Sequence, residues 1–218
     1  MKLLTTLSVR RYSRLSLLVI AAAISCVPSA APLKGVLAPD RSLPTLSLAP
    51  DHRHLVFKWE YQEGEIAARG DGAVRTAAPD SARLDFFLGG GLGAGAAVLI
   101  GDSLRSPRAD LVRRYIPPTP MMWAVLGRLA IPALADTVVR VDGDLLRADV
   151  GNPVQWRVGI RGDTLVELQH ISDGKITESL TRGVNGVLIY ERPGARRRLE
   201  LTFLRDQLGS FDASIWSL

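Results

Sequence analysis

Cysteine and histidine are scarce in this sequence of 218 residues. Cys26 is the only cysteine, and there are three histidines. A single cysteine has no partner for an internal disulfide, and so few thiols and imidazoles give no cluster with metal-ligand spacing. No nucleotide-binding motif is present either. The sequence therefore predicts neither a disulfide-stabilised scaffold nor a site for a metal or another cofactor.

Long hydrophobic runs and aromatic residues are also scarce. The apolar run Leu15–Ile24 covers about half of the roughly 20 residues that a membrane-spanning helix needs. Aromatic residues make up 6% of the chain, too few to fill the interior of a large barrel with Phe and Trp side chains. The sequence therefore disfavours both a spanning helix at this run and a tightly packed barrel.

The N-terminus has the composition of a secretory signal. Four basic residues precede the apolar run, and Ala-Ile-Ser-Cys follows it. The pattern resembles a bacterial lipobox, so we expect residues 1–25 to be removed and Cys26 to become a lipidated first residue. The alternative is an ordinary signal peptide cut after Ala30, which would discard Cys26. Val27 stands where Asp would signal inner-membrane retention, and we therefore expect the periplasmic face of the outer membrane.

The net charge of +5 comes almost entirely from this signal segment. Without its four basic residues, the 27 basic residues fall to 23, against 22 acidic ones. A nearly neutral mature chain has no general attraction for a phosphate backbone. We therefore expect no nucleic-acid partner.

Proline marks the next segment. Val27–Pro50 holds five of the 13 prolines and has little periodic pattern, which is typical of a linker. We expect a tether at residues 26–53 and one domain at 54–218. Leu43, Leu46 and Leu48 near the end of the tether are candidates for docking on that domain.

From residue 54 onward, short alternating runs are separated by turn signals such as Asp142-Gly143, a pattern that indicates antiparallel strands. The predicted strands are 55–61, 66–76, 83–88, 94–101, 138–141, 145–150, 154–160, 165–171, 175–181, 187–192 and 198–204. So many strands in one meander curl rather than stay flat. We expect a mainly β fold, a half-open antiparallel β-barrel of about ten to eleven strands with two short helices as its lid.

The two lid helices are predicted from their N-terminal signals. Ser106-Pro107 would open Arg108–Ile116, and Thr119-Pro120 would open Met121–Ile131, because a hydroxyl N-cap followed by proline favours a helix start. The second helix carries a wide apolar stripe, formed by Met122, Trp123, Val125, Leu126 and Leu129. It either plugs one mouth of the barrel or covers an apolar cavity.

Two loops carry possible chemistry. The segment 98–104 resembles the nucleophile block of GDSL-type esterases, with Ser103 as nucleophile. The other blocks of those enzymes are missing, and His170, the only later histidine, lies within a predicted strand. We therefore expect no enzyme, with an esterase as the third alternative. The glycine-rich connection 89–95 carries one large apolar residue, Leu92, which indicates either a flexible hairpin or an exposed membrane or partner contact.

Three segments resemble the LolA/LolB-type lipoprotein carriers, and the LolB branch more closely. Strand 83–88 leads into Gly91-Leu92-Gly93 and out along 97–99, and a proline-bounded turn leads into Trp123-Ala124-Val125-Leu126-Gly127. Alternating strands with Trp156 follow in the same order. The resemblance covers roughly residues 55–205.

The resemblance implies a cavity for acyl chains of lipoproteins or phospholipids, and it places Leu92 where the LolB branch has a membrane-inserting leucine. We expect cavity walls from strands and lid, namely Leu84, Phe86, Met122, Trp123, Leu126, Trp156, Leu201 and Phe203. The implied function is to accept lipoproteins from a LolA-like periplasmic carrier and insert them into the outer membrane. The alternative is a generic lipid-binding or structural outer-membrane lipoprotein without transfer activity.

Overall fold

The computed structural model describes residues 27–91, 93–108 and 115–218. The predicted signal peptide, the predicted anchor Cys26 and the loop residue Leu92 lie outside the described residues. So does most of the predicted helix Arg108–Ile116.

Thirteen strands form one antiparallel sheet in the order β1-β7-β8-β9-β10-β11-β12-β13-β2-β3-β4-β5-β6. Their bounds are β1 Val36–Leu37, β2 Arg53–Glu63, β3 Ile66–Ala77, β4 Ser81–Leu88, β5 Ala94–Ile100, β6 Ser103–Arg105, β7 Thr137–Asp142, β8 Leu145–Val150, β9 Trp156–Arg161, β10 Thr164–Ser172, β11 Lys175–Arg182, β12 Leu188–Arg192 and β13 Arg197–Leu208. The sheet stays open, with β1 and β6 at its edges. The predicted antiparallel, half-open β architecture is confirmed, and β1 and β6 are additions to the eleven predicted strands.

The predicted turn signals do produce hairpins. Between β10 and β11, Asp173 and Gly174 have φ values of 52° and 69°. Two successive positive φ values are the mark of a type I′ turn, whose twist matches that of the flanking strands. The register of this meander is therefore fixed locally by its turn residues.

Residues 27–50 pack along the sheet. β1 pairs with β7, and the Leu129 amide donates to the Leu46 carbonyl oxygen over 3.0 Å. Leu46 and Leu48 are buried in the core. Most of the segment predicted as a tether therefore lies against the domain, with the leucines at its end docked as expected.

The helices within the described residues are short. Apart from α1 at Thr119–Val125, they are 3-10 helices, at Gly89–Gly91, Pro193–Ala195 and Ala213–Trp216.

The prediction of one helix over Met121–Ile131 was wrong at both ends. The helix starts at Thr119, with Pro118 rather than Thr119 as its N-cap and without a side-chain cap. It stops after Val125 because Gly127 takes a left-handed conformation, with φ of 86°. Gly127 N–H donates to Ala124 O over 3.1 Å and Arg128 N–H to Trp123 O over 2.9 Å, which is a Schellman motif.

The sheet has an inner face, which carries the core, and an outer face, which carries ion pairs such as Arg75–Asp85 and Arg147–Glu167. β6 lies at one edge of the sheet, whereas β7 lies next to the opposite edge. The connection between them therefore has to cross the sheet, and it carries α1 over the inner face.

Candidate functional site

Helix α1 is buried along its length. Met121, Met122, Trp123, Ala124 and Val125 are all buried, as expected for a helix that is apolar on every side. It contacts β10 and β11 and closes the inner face of the sheet.

Polar bonds fix the C-terminal half of α1 to the sheet. Trp123 Nε1 donates to the Gly101 carbonyl oxygen in the β5–β6 turn over 2.9 Å. Arg182 of β11 donates from Nη2 to the Val125 carbonyl oxygen and from Nε to the Leu165 carbonyl oxygen, each over 3.4 Å. Burial lowers the pKa of Arg182. The guanidinium therefore binds a free backbone carbonyl group at the C-terminal end of α1 rather than a carboxylate.

An apolar cavity lies on the inner face, and residues of α1 line its narrow part. Its narrow part has a volume of about 10 Å³ and its wider part about 130 Å³, and Phe86, Ile116 and Leu199 line both. The narrow part is further lined by Phe57, Val74, Leu84, Pro117, Met122, Val125, Leu126, Leu201 and Phe203. The wider part is further lined by Trp59, Tyr61, Leu88, Ala94, Gly95 and Tyr115. The walls are almost entirely hydrocarbon and aromatic.

Aromatic rings form the floor of this cavity. Phe57 meets Phe86 and Phe203 edge-to-face, with 5.8 Å between ring centroids in each pair, and Trp59 meets Phe86 at 6.4 Å. Edge-to-face pairs place the positive ring edge against the negative face, which stabilises the cluster beyond its burial.

Glycines on β3 make room for these rings. Gly72 pairs with Phe57 and Gly70 with Trp59 across the β2–β3 ladder. A Cβ at Gly72 would overlap the Phe57 ring, and a Cβ at Gly70 would overlap the Phe87 carbonyl oxygen. The Trp59 indole also donates to the Asp71 carbonyl oxygen over 3.0 Å. Both rings can therefore lie close to the β3 backbone.

The structure brings six of the eight expected cavity residues together. These are Leu84, Phe86, Met122, Leu126, Leu201 and Phe203. Trp123 and Trp156 are not among the lining residues. Trp123 is turned to the Gly101 carbonyl oxygen, and Trp156 packs beside the His170 ring with centroids 4.7 Å apart.

The sequence reasoning missed the contribution of β2, although its alternating pattern from residue 55 to 61 was visible. Phe57 and Trp59 lie on the inner face beside Leu201 and Phe203 because β2 pairs with β13. That pairing joins residues more than 130 positions apart. The alternating pattern predicts which side chains of each strand point to the core. It does not predict which strands are neighbours in the sheet.

The esterase interpretation gains no geometric support. Ser103 begins a strand instead of leading into a helix, and the His170 Nδ1 lies 2.9 Å from the Thr177 hydroxyl. Over the described ranges, no three His, Cys, Asp or Glu side chains are grouped to hold a metal. Within the same ranges, no helix is long and apolar enough to cross a membrane.

A crystal structure of a LolA superfamily protein from Nitrosomonas europaea matches this architecture, with a TM-score of 0.52 over 79% of this chain and 92% of that chain, at 9% identity. The chain has the LolA fold. A candidate outer membrane lipoprotein-sorting domain from Vibrio parahaemolyticus is similar at a TM-score of 0.41, with 5% identity over 77% of this chain and 90% of that one. The sequence itself matches no protein-family model and no curated protein.

In this LolA fold, the glycine-rich connection starts from the wall of the apolar cavity. Phe87 and Leu88 end β4 with their side chains 49% and 40% exposed, and Leu88 lines the wider part of the cavity. The Leu88 amide donates to the Gly93 carbonyl oxygen over 2.9 Å, which closes the base of the loop. Exposed apolar surface and cavity wall are therefore continuous at this end of the LolA fold.

Proposed function

We propose that this protein is an envelope lipoprotein that binds acyl chains in the apolar cavity. It accepts lipoproteins from a LolA-like periplasmic carrier and inserts them into the outer membrane. The observation that carries this proposal is the cavity itself, walled by aromatic and aliphatic side chains on the inner face of a LolA fold.

The chemistry of the walls suits an acyl chain. Each buried CH₂ group contributes about 0.8 kcal/mol through desolvation, and hydrocarbon walls impose few directional contacts. Such a site accepts chains of different length and releases them to another apolar environment. Transfer along a gradient of affinity then needs no nucleotide.

The cavity has to widen before it takes a whole chain. Its wider part of about 130 Å³ is smaller than the roughly 300–1,000 Å³ of ligand pockets. Helix α1 lines the narrow part, and its displacement would join the two parts into one larger site; it has only seven residues and two polar attachments, through Trp123 and Arg182.

The proposed mechanism uses two separate membrane contacts, Cys26 and Leu92. Cys26 anchors the chain at the periplasmic face of the outer membrane, and Leu92 enters the bilayer during delivery. The half-exposed Leu88 supports this role for the loop, because it extends the exposed apolar surface to the cavity wall.

Cavity binding is tested by filling the wider part from inside. A Cβ at Gly95 would have no heavy atom within 4 Å, and its backbone φ is not positive, so Gly95→Leu places an isobutyl group in the cavity without a backbone clash. Excluding two CH₂ groups of ligand costs about 1.6 kcal/mol, or roughly tenfold in affinity. We expect a diacylated lipopeptide to displace the fluorescent probe bis-ANS from the unaltered protein, and to do so roughly tenfold less well from Gly95→Leu.

Gly95→Ala is the matched control, because it adds one methyl group at the same position. It should bind like the unaltered protein. Lipid that fails to displace bis-ANS, or equal binding by the Leu and Ala variants, would refute the cavity assignment. Depletion of the protein in cells then separates the two functions: mislocalised outer-membrane lipoproteins support transfer, and correct localisation favours a generic lipid binder.

A further inference from the structure

A second pocket adjoins the apolar cavity. It has a volume of about 360 Å³ and is lined by Arg192, Arg197, Asp102 and the segment Ile116–Thr119, among others. Ile116 and Pro117 also line the narrow part of the apolar cavity. The two spaces therefore adjoin at this short piece of chain. We call this second space the arginine pocket.

Two arginines face each other in this pocket. Arg192 at the end of β12 pairs directly with Arg197 at the start of β13. Side chains at paired positions project to the same face about 5 Å apart, and like charges at such positions repel each other. An arrangement of this kind is stabilised by an anion between the two guanidinium groups.

Neither arginine has all its donors occupied. Arg192 is exposed and makes no hydrogen bond or ion pair with any residue that the structure describes. Arg197 donates from Nη2 to Glu63 over 2.8 Å, but its buried Nε has no acceptor among the described residues. By contrast, the neighbouring Arg198 on the outer face is bonded to Glu191 and Glu200.

The donor geometry and the neighbouring cavity indicate the ligand. Guanidinium groups bind phosphate oxygens through parallel charge-assisted hydrogen bonds. Asp102, in the same wall, disfavours a bare anion and favours a headgroup that also carries an amine. We propose that the arginine pocket binds the phosphate of a phospholipid whose acyl chains lie in the apolar cavity. This inference rests on the proposed acyl-chain site and narrows its ligand to a phospholipid.

The test compares two lipids with the same acyl chains in the bis-ANS displacement assay on the full chain. Dioctanoyl-phosphatidylethanolamine carries the phosphate and the amine, and dioctanoylglycerol carries neither. We expect the phospholipid to bind about tenfold more tightly to the unaltered protein. Arg192→Gln should abolish this preference and leave dioctanoylglycerol binding unchanged.

Arg205→Gln is the matched control, because Arg205 is an exposed arginine of β13 that lines none of these pockets. It should keep the preference for the phospholipid. Equal binding of the two lipids, or an undiminished preference in Arg192→Gln, would overturn the phosphate assignment while leaving the acyl-chain site intact. Inorganic phosphate that binds as tightly as the phospholipid would also overturn it. If neither lipid displaces bis-ANS, the proposed function itself is wrong.

Discussion

Alanine in place of Gly72 is the sharpest stability test of the cavity floor. Gly72 lies in β3 between Phe57 on β2 and Phe86 on β4. A Cβ at this position would overlap the Phe57 ring. Any shift of this ring disturbs its edge-to-face contacts with Phe86 and Phe203.

The expected loss follows from these contacts. Overpacking of a buried site costs about 1–3 kcal/mol, and part of that cost is the loss of edge-to-face contacts worth about 0.5–1.5 kcal/mol each. The gain from replacing a strand glycine by alanine offsets about 0.5–1 kcal/mol. We expect Gly72→Ala to lower the free energy of unfolding by about 1 kcal/mol.

Urea unfolding of the full chain measures this loss, with Gly95→Ala as the control. A Cβ at Gly95 meets nothing within 4 Å, so that variant should be as stable as the unaltered protein or more stable by up to about 1 kcal/mol. The second comparison uses Phe57→Ala, in which the overlapping ring is absent. There, Gly72→Ala should raise the free energy of unfolding by about 0.5–1 kcal/mol, giving a coupling energy of about 2 kcal/mol. An equal cost with and without the ring would refute the reasoning.

Substitutions at two further positions test the C-terminal end of α1 and the buried hydrogen bond between Tyr190 and Glu178. Gly127→Ala forces a methyl group into a left-handed conformation at φ 86° and should cost about 1 kcal/mol in urea unfolding, whereas Gly127→Asn should cost less. Burial, with Glu178 beside it, raises the pKa of Tyr190, whose hydroxyl donates to Glu178 over 2.9 Å. This pair therefore stabilises the fold below pH about 10 and loses that contribution as the pH rises further. Tyr190→Phe should be less stable near neutral pH by about 1–3 kcal/mol and show a shallower decline from pH 9 to 11. Parallel pH profiles for both proteins would contradict this.

Sequence pattern predicted the long strands well because their alternation reflects burial on one face. The predicted range 145–150 coincides with β8, whose turn residues fix both ends. β1 and β6 have two and three residues, too few to show a period. They are strands because a neighbouring edge offers hydrogen bonds, which the local sequence does not encode.

The helix boundary shows two signals in competition. The apolar stripe continues to Leu126 and Leu129, and both still pack against the core. The apolar periodicity therefore predicted the burial of Leu126 and Leu129 correctly, but not that they lie outside the helix. Gly127 ended the helix, and this glycine was a visible stop signal.

The candidate site was predictable only in part, for a related reason. Leu84 and Leu201 line the cavity because β4 and β13 each present one apolar face to the interior. Trp156 shares that face, but β9 lies four strands away from β13 in the sheet. Its distance from the cavity follows from strand order, which composition and alternation leave open.

The pairing of β13 with β2 has a consequence for how the molecule is assembled. β13 is the last strand of the chain, and it pairs with β12 on one side and with β2 on the other. Because the chain is synthesised from the N-terminus, one edge of β2, eleven residues long, stays unpaired until β13 has been made. Exposed edges of this length invite pairing with other chains. Synthesis and folding of this protein thus include an interval in which a chaperone that covers strand edges is of most use.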